Sequence, residues 1–279
     1  KLEVIGDIQS IQPYYKRVGT LRNGIQKVVN YYSGKKVVYY LFQLDIAMVF
    51  KMCTFKNNYI YEESDLRHTY MKNPLKAIME RIDKYIIKKS IMSVFTSEGF
   101  LDYHYPNKRP VNTYVIPNRL HPNILEIEEK EKVSQKGLLS VGFVGAVRYN
   151  AILNFIEVFC YNFPEYQMHV FGYVENEMED KFKSLTKYKN LKFHGAFKNP
   201  DDLPIIYSKI DVVLSTYDAE YDNVRYAEPN KLYEAIYFNT PIIVSKNTFL
   251  ETKVLKYKIG YSVDAKSEQD IIQLIKDVN

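Results

Sequence analysis

The chain has 279 residues, 46% of them hydrophobic and 25% charged, enough apolar content for one large core or two of medium size. Its net charge of +5 comes with no arginine-rich arm, zinc-finger spacing or aromatic RNA-binding signature, so no nucleic-acid partner is expected and an anionic small ligand or membrane surface fits better. Cys53 and Cys160 lie far apart in apolar runs, which argues against a disulfide framework and reads as buried thiols in a reducing compartment.

In chain order, LEVIGDI (2–8) reads as a strand and 13–32 as a helix. Strands are predicted at 36–42, 58–62, 92–96 and 113–117. Between the second and third of these, 73–90 is the clearest helix, with Leu75, Ile78, Met79, Ile82, Tyr85 and Ile86 on one face. Lys72, Lys76, Arg81, Lys84, Lys88 and Lys89 flank that face. A buried apolar stripe with solvated lysines is the expectation; the alternative is a basic amphipathic helix resting on an anionic membrane.

The polar, turn-rich run that follows is read as a connector over 121–137. The alternation then restarts with a strand at 137–145, a helix over 150–162, a strand at 166–172, a helix over 177–188 and a strand at 191–195. Next come a helix near 201–208, a strand at 211–216, a polar loop at 217–228 and a helix opening at Pro229. A strand at 241–245, the segment 259–265 and a final helix over 267–277 close the chain. Strands separated by helices predict βαβ units and parallel sheets covered on both faces. The expected architecture is α/β, with two Rossmann-like doubly wound domains at 1–120 and 138–279 and a cleft between them. No apolar run approaches the ~20 residues of a bilayer span. No signal peptide stands at the start, so a cytoplasmic location is expected. The first residue is Lys1 rather than methionine, as in a fragment of a longer chain.

The stretch YAEPNKLYEAIYFNTPIIVS (226–245) concentrates the chemistry. Pro229 falls where proline is favoured, at a first helical position. In open α/β sheets ligands bind beyond the carboxyl ends of the strands, where the next helices begin. A helix start offers unpaired N–H groups and a partial positive charge, a seat for phosphate. Lys231 adds a full charge there, and Glu234, one turn on, suits a pair of ribose hydroxyls. Taken as pattern alone, Lys231 and Glu234 also read as an ordinary i, i+3 surface pair.

These residues resemble the donor-binding element of retaining GT-B glycosyltransferases of family four, in which a Pro-x-Lys-x-x-Glu or Glu-x7-Glu element precedes a turn and a β-branched strand. Here the element is PNKLYE (229–234) and the turn and strand are NTPIIV (239–244). NLKFHGAF with DLPIIYSKIDVVLSTY, FLETKVLKYKIGYSVDA, and VFTSEGFLDYHY with VIPNRL resemble further family segments, so the likeness runs from about residue 36 to 275. The resemblance implies that Glu234 binds the donor ribose and that Pro229, Asn230 and Lys231 lie along the diphosphate and sugar. It makes Arg148 the cation at the β-phosphate and Gly145 the point of close loop approach. Glu228 is either a donor-sugar contact or a solvated loop carboxylate. On the acceptor side the likeness points to Glu62 and Asp65 in YEESDL and to Ser97 and Glu98 opening a helix. Departures are Tyr226 at the first acid position of a Glu-x7-Glu reading, Ser64 where relatives often have histidine, Arg119 where they have glycine, and no lysine in register after Arg148. Family chains are also longer, which makes the first domain read as incomplete.

The implied reaction moves a sugar from a nucleoside-diphosphate sugar to a hydroxyl of a saccharide or lipid-linked saccharide, with retention and no cofactor. Cations preplaced at the β-phosphate lower the barrier without a metal. His68, His104 and His121 show no metal-ligand spacing, so no metal is expected; His169 reads as a satisfied core residue. Rival readings are a nucleotide-sugar epimerase of the same fold and a non-catalytic nucleotide-sugar-binding scaffold.

Overall fold

The computed structural model describes residues 14–127, 131–132 and 137–278. The strand expected at 2–8 lies outside the described residues. The chain divides into two compact units, Lys1–Pro117 and Asn118–Asn279.

The first unit holds α1 (Tyr14–Tyr31), β1 (Tyr39–Phe42), α2 (Leu44–Cys53), β2 (Tyr59–Glu63), α3 (Leu75–Lys89), β3 (Met92–Phe95), α4 (Glu98–His104) and β4 (Thr113–Val115). All four strands are parallel and lie in sequence order, β1-β2-β3-β4. Along β1 and β2 burial alternates, so Tyr39, Leu41, Tyr59 and Tyr61 form one inner face. The amphipathic helix expected over 73–90 forms as α3, but it is turned differently. Asp83, Ile86 and Ile87 are buried, whereas Leu75, Ile78 and Tyr85 are about half exposed. Cys160 is buried as expected, while Cys53 is only partly covered.

The second unit holds β5 (Ser140–Val144), α5 (Asn150–Asn162), β6 (Gln167–Phe171), α6 (Glu179–Leu185), β7 (Leu191–Gly195) and α7 (Leu203–Ser208). They are followed by β8 (Val212–Ser215), α8 (Asp222–Tyr226), α9 (Asn230–Tyr237), β9 (Ile242–Ser245), α10 (Phe249–Tyr257), β10 (Gly260–Val263) and α11 (Glu268–Val278). The six parallel strands run β10-β9-β8-β5-β6-β7. Read from the other edge, this is the 3-2-1-4-5-6 order of a doubly wound α/β sheet. Side chains alternate between two cores: Val141, Phe143, Val212 and Leu214 pack under α5 and α11, and Val144 and Val213 under α7, α9 and α10. Both faces are covered, which is why the strands are nearly continuous hydrophobic runs. Each fully buried Phe or Leu of these layers contributes ~1.5–3 kcal/mol.

Three local features differ from the sequence reading. Pro229 is the N-cap of α9, with extended backbone (φ −77, ψ 156), rather than its first helical residue. The predicted polar loop 217–228 contains the short helix α8. The segment after β9 folds as α10, capped by Thr248. None of the helices among the described residues is long and apolar enough to cross a membrane.

Candidate functional site

In the six-stranded sheet the chain reverses its direction of winding between β5 and β8. The loops leaving those two strands must diverge, and the crevice they leave is where ligands bind in open α/β sheets. A cavity of about 220 Å³ sits there, bordered by Arg148 and Tyr149 after β5, Tyr217 after β8, and Pro229 and Lys231 at the start of α9. A larger cavity of about 690 Å³ opens near Pro241, Ile242 and Gly260, at the amino ends of β9 and β10. That is the wrong edge of the sheet for strand-end loops to reach a ligand, so the smaller cavity is the candidate site.

Lys231 is only 9% exposed. Its Nζ donates to Tyr217 Oη at 2.8 Å and lies 4.1 Å from the centre of the Phe143 ring. No ion pair joins it to a carboxylate among the described residues. A covered ammonium held by a phenol oxygen and aromatic faces lacks a full counter-charge, and an anion entering the cavity supplies one. Arg148 is exposed on the rim, with no hydrogen-bond partner among the described residues. Gly145 turns the chain between β5 and Arg148 at φ +131; a Cβ there would stand 3.6 Å from Lys231 Nζ. Gly172 is tighter still, since a Cβ would fall 1.9 Å from the Gly145 carbonyl.

The amino ends of two helices serve this edge differently. At α5 the Asp218 carboxylate accepts from Asn150 N at 3.1 Å and Ala151 N at 2.9 Å. That end is closed by the chain's own anion. At α9 no side chain caps the start, and Asn230 is exposed beside Lys231. Asp218 has no signal in the sequence, because it caps a helix 68 residues away.

Glu234 lies one turn into α9, buried, accepting from Tyr207 Oη at 3.0 Å. Burial pushes its carboxyl above the usual range, against the bonds from Tyr207 and Asn199 and the charge of Lys231. Burial and this carboxylate push the Tyr207 phenol well up. Glu234 does not border the 220 Å³ cavity. Glu228 is neither solvated nor free: it is buried, and its carboxylate accepts from Tyr233 and pairs with Lys253. Its carbonyl accepts from Asn118 at 3.0 Å.

In the first unit the sequence candidates hold their own structure together. Ser97 caps α4 through Gly99 N at 3.1 Å. Glu98 pairs with Arg109 at 3.0 Å, and Glu62 accepts from Tyr40. Asp65 accepts a long bond from Gln43, which also donates to Ser64 at 2.7 Å. Gln43 itself, missed in the sequence, turns between β1 and α2 at φ 74, ψ 157, a backbone region of glycine, and its Oε1 is buried without a bond. Strain held at a strand's carboxyl end is a common mark of a site.

The histidines also depart from expectation. His169 is half-buried and bonds His194 at 3.0 Å; burial first, then His194, pulls it down to about 4. His68 and His104 are buried with Glu63 and Asp83 in one cluster, which no spacing in the sequence announces.

A parallel sheet in Rossmann order with a cation-lined cavity at its reversal is the architecture of a doubly wound α/β protein. The family model for glycosyl transferases group 1 matches residues 126–278, more than half of the chain, and the protein belongs to that family and is a glycosyltransferase. No protein of curated function matches the sequence. Among solved structures it is similar to the GT-B sucrose-phosphate synthase from Thermosynechococcus elongatus (TM-score 0.74, 16% identity), covering 98% of this chain and 72% of that one. HepE from Anabaena in complex with UDP and glucose aligns with TM-score 0.66 at 16% identity, covering 96% and 75%. The lipopolysaccharide outer core galactosyltransferase WaaB aligns with TM-score 0.64 at 13% identity, covering 97% and 73%.

Proposed function

We propose that the protein transfers a sugar from a nucleoside-diphosphate sugar to an acceptor hydroxyl, with the diphosphate at the open amino end of α9. The observation that carries this is Lys231: a covered cation without a carboxylate partner, at the reversal of the sheet, beside an uncapped helix start. Arg148 swings from the rim onto the β-phosphate and meets the charge that develops there as the sugar–phosphate bond breaks. Preplaced cations of this kind each contribute ~10²–10³ in rate. Glu234 binds the ribose, with Tyr207 fixing the carboxylate's orientation. Asn230 and Pro229 flank the sugar, Gly145 admits the nucleotide against the loop, and Glu228 holds the α9 entry rigid through Tyr233 and Lys253.

With basic side chains at the phosphate, the transfer step uses no metal and no cofactor, and the likeness to family four favours retention by front-side attack. Glu62, Asp65, Ser97 and Glu98 frame the acceptor, a saccharide or lipid-linked saccharide. HepE, with UDP, and WaaB, a lipopolysaccharide galactosyltransferase, support a UDP-sugar donor and a role in bacterial surface polysaccharide at the cytoplasmic side of the membrane. Exposed Leu75, Ile78 and Tyr85 among the lysines of α3 support peripheral contact with an anionic bilayer.

Calorimetric titration of UDP, GDP, ADP and CMP into the wild type and Glu234→Ala tests the reading. One nucleoside diphosphate should bind, and the mutant should lose it. Binding of none, or equal binding by both proteins, contradicts it. Donor turnover with a pooled acceptor extract then separates a transferase from an epimerase or scaffold. Flotation with anionic liposomes at low salt tests the membrane contact, and absence of co-flotation removes it.

A further inference from the structure

The buried cluster of the first unit has the donors and spacing of a metal site. Glu63 ends β2, His68 follows in a 3-10 turn, Asp83 lies on α3 and His104 ends α4, and all four are at most 3% exposed. Glu63, His68 and Asp83 each offer a ligand atom within 4.8 Å of the other two. His68 Nδ1 stands 3.4 Å from Asp83 Oδ2, His104 Nε2 stands 3.0 Å from Glu63 Oε2, and the same Nε2 is 3.8 Å from Asp83 Oδ2. Ligands bound at ~2.0–2.1 Å in a tetrahedron are about 3.3 Å apart, close to the His68–Asp83 separation, and His104 Nε2, hydrogen-bonded to both Glu63 oxygens at 3.0 Å, stands beside that three-residue group.

A second observation points the same way. His68 Nδ1 and Asp83 Oδ2 are both fully buried and neither makes a hydrogen bond, although they face each other. Two ligands along one edge of a coordination shell stand this way without a bond between them, and His68 Nε2 and His104 Nδ1 are likewise buried without a hydrogen bond. The remaining Asp83 oxygen accepts from Tyr61 Oη at 2.9 Å, as outer-shell partners orient a ligating carboxylate. Two carboxylates buried together also lack a resident cation, since no lysine or arginine pairs with either among the described residues.

We infer that Glu63, His68, Asp83 and His104 bind one zinc ion, which ties the end of β2 and the turn after it to α3 and α4. Two imidazoles and two carboxylates give a neutral, closed shell, so the ion is structural and takes no part in transfer. This inference goes beyond the donor reading and does not depend on it.

The test uses the full chain purified without a histidine tag or chelator. Emission spectrometry after dialysis should find about one zinc per chain. Stripping with a chelator should lower the melting temperature, and stoichiometric Zn²⁺, not Mg²⁺, should restore it. Replacement by Co²⁺ should give the intense visible absorption of a tetrahedral ion. His68→Gln and Asp83→Asn should lose the metal, whereas the double variant His169→Asn, His194→Asn should retain it. A chain that takes up no zinc from added Zn²⁺ and shows only the pale spectrum of hydrated Co²⁺ would overturn the inference. So would zinc that departs with His169 and His194, and neither result requires the cluster variants to fold.

Discussion

Both units bury ionisable groups near the carboxyl ends of parallel strands, yet the two sets are arranged oppositely. In the first, Glu63, His68, Asp83 and His104 converge on one another, sealed by Tyr61 and the helices. In the second, Lys231 and Arg148 face a cavity, and the anion that one would expect beside them, Asp218, is committed to the start of α5. A closed cluster can satisfy itself or hold an ion. An open one, with a cation left over, is built for a ligand from solution. On the readings proposed above, two parallel α/β units supply a rigid anchor in one and a recognition site in the other.

The largest effects are expected at the cations. Lys231→Ala and Arg148→Ala should each lower kcat/KM by ~10²–10³, roughly 3–4 kcal/mol of transition-state stabilisation, measured in steady-state donor turnover. A loss under threefold for both would place the chemistry elsewhere. Next, Gly172→Ala forces a Cβ against the Gly145 carbonyl at φ +132. Denaturant unfolding should show a loss of about 2–4 kcal/mol, and nucleotide affinity should fall with it because the loop carrying Gly145 must move.

Glu234→Gln sharpens the contrast, because it separates function from stability. The folded carboxyl titrates above its unfolded value, so its contribution to stability is full below about pH 4.5 and is lost as pH rises through the folded value. At pH 7 the amide should therefore raise the melting temperature of the ligand-free protein while weakening nucleoside-diphosphate binding ~10-fold or more. Melting scans at pH 4.5 and 7 would check this; an amide that destabilises equally at both would refute it. The smallest effect is expected at His169. Its folded value, about 4, lies below the unfolded 6.5, so its contribution is present above pH 6.5 and is lost as pH falls toward 4. After discounting for solvent screening at this half-exposed site, about 1 kcal/mol remains. His169→Phe should flatten the acid limb of the stability profile by that amount.

Much of this architecture is legible in sequence wherever period and punctuation agree. The helix read over 150–162 and the strand over 191–195 form as α5 and β7 with those boundaries. What escapes does so for physical reasons. LDIAMVFKMC, which becomes α2, is apolar on nearly all sides, so periodicity does not separate it from a strand. Helix α8 has five residues and too few turns to show a period. Pro229 acts as a cap because its extended ψ of 156 precedes the first helical residue. The motif at 229–234 concentrates Lys231 and Glu234 in one helix turn and so is readable. Glu63 and His104 lie 41 positions apart in the chain, and they meet His68 and Asp83 only because successive parallel strands and their helices end together. Asp218 and Tyr217, whose tasks are set by α5 and Lys231, are equally invisible along the chain.

A crystal structure with the nucleoside diphosphate that binds tightest puts the central claim to the most direct test. The expected density has diphosphate oxygens ~3 Å from Lys231 Nζ and from the backbone N–H groups at the start of α9, with Asp218 still on α5. Diphosphate seated on α5 in place of Asp218, or anywhere away from Lys231, would contradict it.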